Sequence, residues 1–473
     1  MSFPRPRRFA RTLTFGAALA LTAAAAQAQS LQELYGAARG YDATYLSARA
    51  LLDSAQSRRD QASASRWPTV GLAATTARQL SSTPDASSTR SANTTASNVA
   101  LNGSQTLFNR VNDVTIAQAE KVLQGSQADF SAAEQDLILR VAQAYFNVLA
   151  AQDTLATARG NQAAINEQLE SAKRNFEVGT ATITDTREAQ ARFDLARANE
   201  IVAANDLLTK RIALDQLVGR TDVAPRALAV RLAVPPAMPL AVPPSLPPAV
   251  APTDPASVDA WVLRSDAEHP QVINARLRLD QARLETEKAR AGNLPTVALT
   301  ASYGRGHSST AGEALPSGVN RVVPYTTASA STGASLGLRL DLPLFTSYAV
   351  QNRIRETLAL EDKFDNDLQA ARRGVAQDTR TAFYAVSSGN ARVAALEAAE
   401  SSSKLALEAT KLGYRVGVRV NLDVLNAEAQ LFDTQAQLAK ARYDLVIAGL
   451  RLRQASGRVT AEDVAVVNGL LVR

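Results

Sequence analysis

The 473-residue chain contains no cysteine and only two histidines. The first absence excludes disulfides, thiolate metal sites and a lipid-modified N-terminal cysteine. The second leaves His269, before Pro270 near a helix start, and His307, in a predicted loop. Neither has a triad or ligand partner nearby in sequence, and no Gly-rich phosphate loop occurs. No catalytic residue, cofactor or metal site is therefore assigned, and an enzyme is disfavoured. Aromatics are scarce at 5%, whereas 46% of residues are apolar and many of those are Ala, a composition suited to long, closely packed helices. Beyond the N-terminal segment no apolar run approaches 18 residues. Any membrane span must then be made of β-strands.

What is present begins with Arg5, Arg7, Arg8 and Arg11, an apolar run from Leu13 to Ala26, and Ala26-Gln27-Ala28. A basic head, a short apolar body and a small-x-small exit predict a secretory signal peptide over 1–28. Its four arginines supply four of the six formal positive charges, leaving about +2 on the remainder. With no clustered basic stripe, nucleic acid is not an expected partner.

A helix is expected over 31–66. Alternation then predicts a strand over 69–77, with Val70, Leu72 and Ala74 on one face. A polar loop over 79–97 follows, and a second strand over 98–107. From Asn109 to Phe176 the period becomes helical, with Leu137, Val141, Ala144 and Val148 spaced 4-3-4. Gly179 stands at a C-cap position and Thr184-Asp185 at the next N-cap position. A further helix runs to about Gly219. Ten of the 19 prolines fall between Pro225 and Pro255. Segment 220–256 therefore reads as a semi-rigid linker between halves.

The second half repeats the first. A helix is expected over 257–292, and Leu294-Pro-Thr-Val297 echoes Trp67-Pro-Thr-Val70. A loop over 304–325 precedes a strand whose Leu336, Leu338, Leu340 and Leu342 alternate with Ser335, Gly337, Arg339 and Asp341. A helix to Tyr414, a break, and a last helix follow; on that last helix Leu425, Ala429, Phe432 and Ala436 continue a 3-4 seam. Tyr414-Arg-Val-Gly417 repeats Phe176-Glu-Val-Gly179, and Asp185 and Asp423 each stand six residues beyond the Gly. The chain thus divides into 29–219, the linker, 257–457 and a tail, 458–473.

Lengths constrain the architecture. Each long helix of about 68 residues spans roughly 100 Å, as two shorter helices placed end to end would. Strand portions 67–108 and 294–345 carry one apolar face, as an outer-membrane barrel requires. Four strands cannot close such a barrel, since the smallest have about eight. Three chains would supply twelve, with loops 79–97 and 304–325 facing the outside medium. Trp67, Phe108, Tyr303, Phe345 and Tyr348 near strand ends suit an aromatic girdle. A trimeric adhesin-type stalk without transport is the alternative; its membrane strands, however, lie at the C-terminus, whereas here they lie inside both repeats.

With the duplication, the strand pairs and the Tyr-x-Val-Gly-x-Arg-x-x-x-Asp turn in place, the chain resembles the TolC family of outer-membrane exit ducts. Ala144-Tyr-Phe-Asn-Val-Leu149 and Leu438-Ala-Lys-Ala-Arg-Tyr443 add to the resemblance. It implies an α+β membrane protein: an α-helical barrel crossing the periplasm and a twelve-stranded β-barrel shared by a homotrimer in the outer membrane of a Gram-negative bacterium. It also implies a periplasmic adaptor and an ABC or proton-driven inner-membrane transporter as partners, with cargo that is secreted protein, drugs or both. By motif position, Tyr414 would bond Asp185 and Arg419 would bond Thr184 in a releasable periplasmic latch. Asp423 would form an acidic ring at the constriction, and Asn426 stands where a second acid is expected. Val178, Gly179, Val416 and Gly417 would meet the adaptor.

Overall fold

The computed structural model describes residues 29–85, 88–180, 182–221, 223–225, 257–314 and 321–469. The expected signal peptide, 1–28, and most of the expected linker, 220–256, lie outside the described residues. The described residues fall into two compact units, one within 29–46, 133–266 and 376–469, the other within 47–132 and 267–375.

The elements are α1 (Leu31–Tyr41), α2 (Ala43–Ser63), β1 (Thr69–Asp85), β2 (Ser88–Phe108), α3 (Arg110–Glu177), α4 (Ile183–Val218), α5 (Val258–Glu268), α6 (Pro270–Ala291), β3 (Thr296–Ala314), β4 (Val323–Asp341), α7 (Ala349–Arg415), α8 (Asn421–Ala455) and α9 (Ala461–Asn468). The helices α3 and α7, of 68 and 67 residues, are as long as the periodicity requires.

The expected helices over 31–66 and 257–292 are each broken once, at equivalent positions of the two repeats. In the first, the Asp42 carboxylate accepts a hydrogen bond from the Tyr45 backbone N–H at 2.8 Å, starting a new helix. In the second, His269 caps α6 through Nδ1, which accepts from the Gln271 N–H at 3.2 Å, and Pro270 takes the first helical position. A capping side chain that bonds ahead of itself competes with the helix behind it, and a proline cannot donate to it.

Asp42 is also gripped by both terminal nitrogens of Arg140, at 2.8 and 3.0 Å. That guanidinium holds its carboxyl below the usual carboxylate range. A depressed folded-state value adds stability above the ordinary range, and the gain is lost as pH falls through the depressed value. Asp42→Asn should therefore cost on the order of 1 kcal/mol near neutral pH and flatten the acid limb of the stability curve. Thermal unfolding followed from neutral to acid pH checks this.

The second unit holds the sheet, ordered β1-β2-β3-β4 with antiparallel neighbours. Its strands have 17 to 21 residues, well beyond the expected 69–77 and 98–107. Most of the expected loops, 79–97 and 304–325, is strand. Ser and Thr hydroxyls there pair across the ladder, Ser97 with Thr76 at 3.0 Å and Thr94 with Thr310 at 3.0 Å, and Asn93 accepts from Arg78 at 2.8 Å. Polarity in these segments marks contact with water, not loss of the ladder. The same extension moves His307 out of its loop into β3, and places Tyr303 mid-strand instead of at a strand end.

Strand register puts the apolar side chains on one face. Leu72 lies opposite Leu101, which lies opposite Tyr303, and Leu299 lies opposite Leu338. Leu72, Leu336 and Leu338 are 73%, 75% and 68% exposed. At ~9–11 residues per tilted membrane strand, these strands are long enough to span the hydrocarbon and continue past it. The opposite face carries an Arg339–Asp341 ion pair at 2.8 Å and the Ser302–Ser335 hydroxyl pair.

In the first unit, Tyr145 and Phe146 of α3 are fully buried and meet edge-to-face. Tyr443 of α8 stacks near Phe146 and donates to Asp153 at 2.6 Å. Burial pushes the Tyr443 phenol up. Of the expected α8 seam, Leu425 is buried, and Ala429, Phe432 and Ala436 are half-buried. Leu425 joins Ile165, Leu169, Ala172 and Ala189 of α3 and α4, whereas Val424 and Leu431 form a second row against Leu407 of α7.

Candidate functional site

The two interhelical turns lie in the first unit and close alike. Gly179 and Gly417 have φ of +77° and +78°, a conformation that costs glycine nothing and a branched residue a great deal. The N–H groups of Thr180 and Val418 donate to the carbonyls of Asn175 and Gly413 at 2.8 and 2.9 Å. In sequence and in backbone, the C-caps are twins.

The N-caps are not. Thr182, two residues before the expected Thr184, caps α4; its hydroxyl accepts from the Asp185 N–H at 3.2 Å. The Asp185 carboxylate in turn accepts from the Thr182 N–H at 3.0 Å. Val420 holds the corresponding place before α8 and offers no capping hydroxyl. Asp423 occupies the same third helical position as Asp185 but turns to Arg419, at 3.5 Å. One missing hydroxyl gives two equivalent aspartates different partners.

Within the chain, the expected latch residues sit as follows. The Tyr414 hydroxyl accepts from Asn175 Nδ2 at 3.4 Å, joining the ends of α7 and α3. Tyr414 also packs on the Leu407, Val424 and Leu431 row. Arg419 pairs with Asp423, Asp185 with its own cap, and Thr184 is exposed on the first turn of α4. No bond of Tyr414 to Asp185 or of Arg419 to Thr184 occurs among the described residues of one chain. Asn426 is exposed and its Oδ1 accepts from Arg192 of α4 at 2.9 Å. Around the turns, Val178, Val416, Val418 and Val420 are all more than half exposed.

Four participants were not legible beforehand: Asn175, Arg192, Lys411 and Glu428. Glu428 is almost fully buried, and Lys411 of α7 reaches one of its oxygens at 2.6 Å. Its second oxygen and both amide atoms of the buried Asn421 have no hydrogen-bond partner among the described residues. The spacing Asn421, Val424, Glu428, Leu431 is itself a 3-4 row, but two polar members conceal it from an apolar search.

The family model for "Outer membrane efflux protein" matches residues 34–220 and 261–458, both repeats in turn. The chain belongs to that family. Outer membrane protein TolC of Vibrio cholerae serotype O1 is 32% identical over 457 residues, covering 96% of this chain and 97% of that one. Alkaline protease secretion protein AprF of Pseudomonas aeruginosa is 34% identical over 346 residues, covering 72% of this chain and 66% of that one. The fold is shared with the outer membrane protein VceC of Vibrio cholerae, at a TM-score of 0.70 and 20% identity over 90% of this chain and 96% of that one. An outer membrane efflux protein is a transport channel of the outer membrane. Membership selects transport over the adhesin-type stalk and accounts for an internally duplicated chain of long helices with four strands.

Proposed function

We propose that this chain forms a homotrimeric exit duct, its twelve strands closing one barrel and its helices conducting substrates received from an inner-membrane transporter. The observation that carries this reading is the sheet itself: among the described residues it has four strands, an exposed apolar face, and unpaired edges on β1 and β4. An open edge in hydrocarbon leaves backbone groups unbonded at several kcal/mol each. Further copies of the chain are the economical remedy. The detergent-extracted protein should run as three chains and conduct ions in planar bilayers; a monomer without conductance would overturn the reading.

The turns act as the gate, opened by a periplasmic adaptor. The exposed valines beside Gly179 and Gly417 suit an apolar docking contact. Thr184, Asp185, Tyr414 and Arg419 then meet across protomers, where exposed polar links worth ~0–1 kcal/mol each are few enough for a docking partner to release. Relatives named for secretion of alkaline protease and of proteases favour protein among the cargoes. Such a role implies an adaptor and an ABC or proton-driven transporter.

Asp423 from three protomers forms the constriction ring. Here each carboxylate is shared with Arg419, and the next position is Asn426 under Arg192. Opposite charges this close weaken attraction for cations. The duct should therefore be blocked only weakly by multivalent cations, and Asp423→Asn should weaken block further. Titration of single-channel current with a trivalent cation checks this; strong block that survives the substitution would remove Asp423 from the constriction.

A further inference from the structure

The lipid-facing side of the sheet changes chemistry over three successive layers. The lowest joins Leu72, Leu101 and Tyr303; the next joins Ala74, Val99 and Arg305; the third joins Thr76, Ser97 and His307. These side chains share a face because strand positions two apart point the same way. On β3, Ala301, Tyr303, Arg305 and His307 are exposed, whereas the residues between them are partly covered. A surface groove runs along this face, lined by Leu72, Val99, Leu101, Tyr303, Arg305 and His307.

Below Arg305 this face of β3 and β4 carries only Ala, Val, Leu and Tyr303. Arg305 and His307 make no hydrogen bond or ion pair among the described residues. The nearest acid facing the same way on β3 is Glu313, eight residues beyond Arg305. The groove thus has an aliphatic floor, an aromatic at its waist and two unpaired nitrogen donors at its head. An acyl chain ending in an anionic group has that shape and charge order. A tyrosine ring favours the membrane–water interface, and a guanidinium offers a phosphate two parallel N–H bonds. An imidazole N–H can add a third.

We propose that Arg305 and His307 bind the phosphate of an outer-leaflet lipid headgroup, with its acyl chain along Leu72, Val99 and Leu101. This rests on the membrane-barrel reading of the strands. Bound lipid would fix the depth of the barrel at a level the apolar band alone leaves loose.

The test uses full-length protein reconstituted in phosphatidylcholine nanodiscs doped with a phosphorylated glycolipid or with its dephosphorylated counterpart. Protein-bound lipid is counted by native mass spectrometry. The parent protein should enrich the phosphorylated form, and R305Q/H307Q should lose about fivefold or more of that enrichment, the effect of removing a cation at a lipid phosphate. Arg339→Gln, on the opposite face, should leave it unchanged. Equal enrichment in parent and double variant, or none in the parent, overturns the proposal. Displacement by millimolar inorganic phosphate would also overturn it, leaving a site for the free anion. Should the double variant not assemble, Arg305→Gln alone reads the same enrichment. Conductance of each variant separates the two readings: a conducting duct without lipid enrichment refutes the lipid site alone, and absence of conductance in the parent refutes the barrel.

Discussion

Leu338→Arg should cost the assembled barrel about 2–4 kcal/mol, the cost of a cation on the lipid face near mid-bilayer. Leu338 sits opposite Leu299 in register and is 68% exposed, with Leu336 and Leu340 on the same face. Ser335→Arg, three residues earlier and on the other face, joins Arg339 and Asp341 and meets water. It should leave stability nearly unchanged while altering single-channel conductance. Urea unfolding in lipid vesicles, compared for the two variants, measures the difference. Equal destabilisation of both would mean that the apolar face is not turned to lipid.

Lys411→Ala should destabilise the α7–α8 packing by about 2–3 kcal/mol, less than for a fully enclosed pair because Lys411 is itself about two-fifths exposed. The loss comes mainly from the carboxylate left behind. Among the described residues the second oxygen of Glu428 is already unbonded, in a row with the unbonded amide of Asn421. Adding Glu428→Leu should therefore recover most of the stability, since an apolar side chain suits the Val424–Leu431 row. A double-mutant cycle in chemical unfolding measures the coupling, and simple additivity would refute it. In bilayers, Lys411→Ala should also raise the open fraction of the duct, because this row underlies the Tyr414 turn.

Much of this was legible because repeated grammar is a strong signal. Phe176-Glu-Val-Gly179 and Tyr414-Arg-Val-Gly417 indicated two helix ends closed by left-handed glycines, and both glycines adopt that conformation. The alternation of Leu336, Leu338 and Leu340 located a strand and its apolar face. Less legible were features set by competition between neighbours. Thr182 and Thr184 are chemically equal candidates for a cap, and only the path of the chain decided that Thr182 takes it. Asp42 reads as an ordinary helical acid until Arg140, 98 residues on, fixes it as a break. The polar stretch 79–97 reads as loop because single-sequence alternation weakens where both faces meet water, yet residues 79–85 and 88–97 pair with each other in the ladder.

Local periodicity, capping residues and duplication thus settled by themselves the order of helices and strands, the two-repeat plan, the apolar strand face and the glycine turns, though not the full length of the strands. Each depends on residues a few positions apart, whose geometry the backbone dictates directly. Tertiary structure alone decided who partners whom. It gave Asp185 to Thr182 and Asp423 to Arg419, Asn426 to Arg192 and Glu428 to Lys411. It also brought Leu72, Tyr303 and Arg305 onto one surface from strands more than 200 residues apart in sequence. Such pairings depend on strand register and helix rotation, quantities set by the whole packed assembly and by no short stretch of chain.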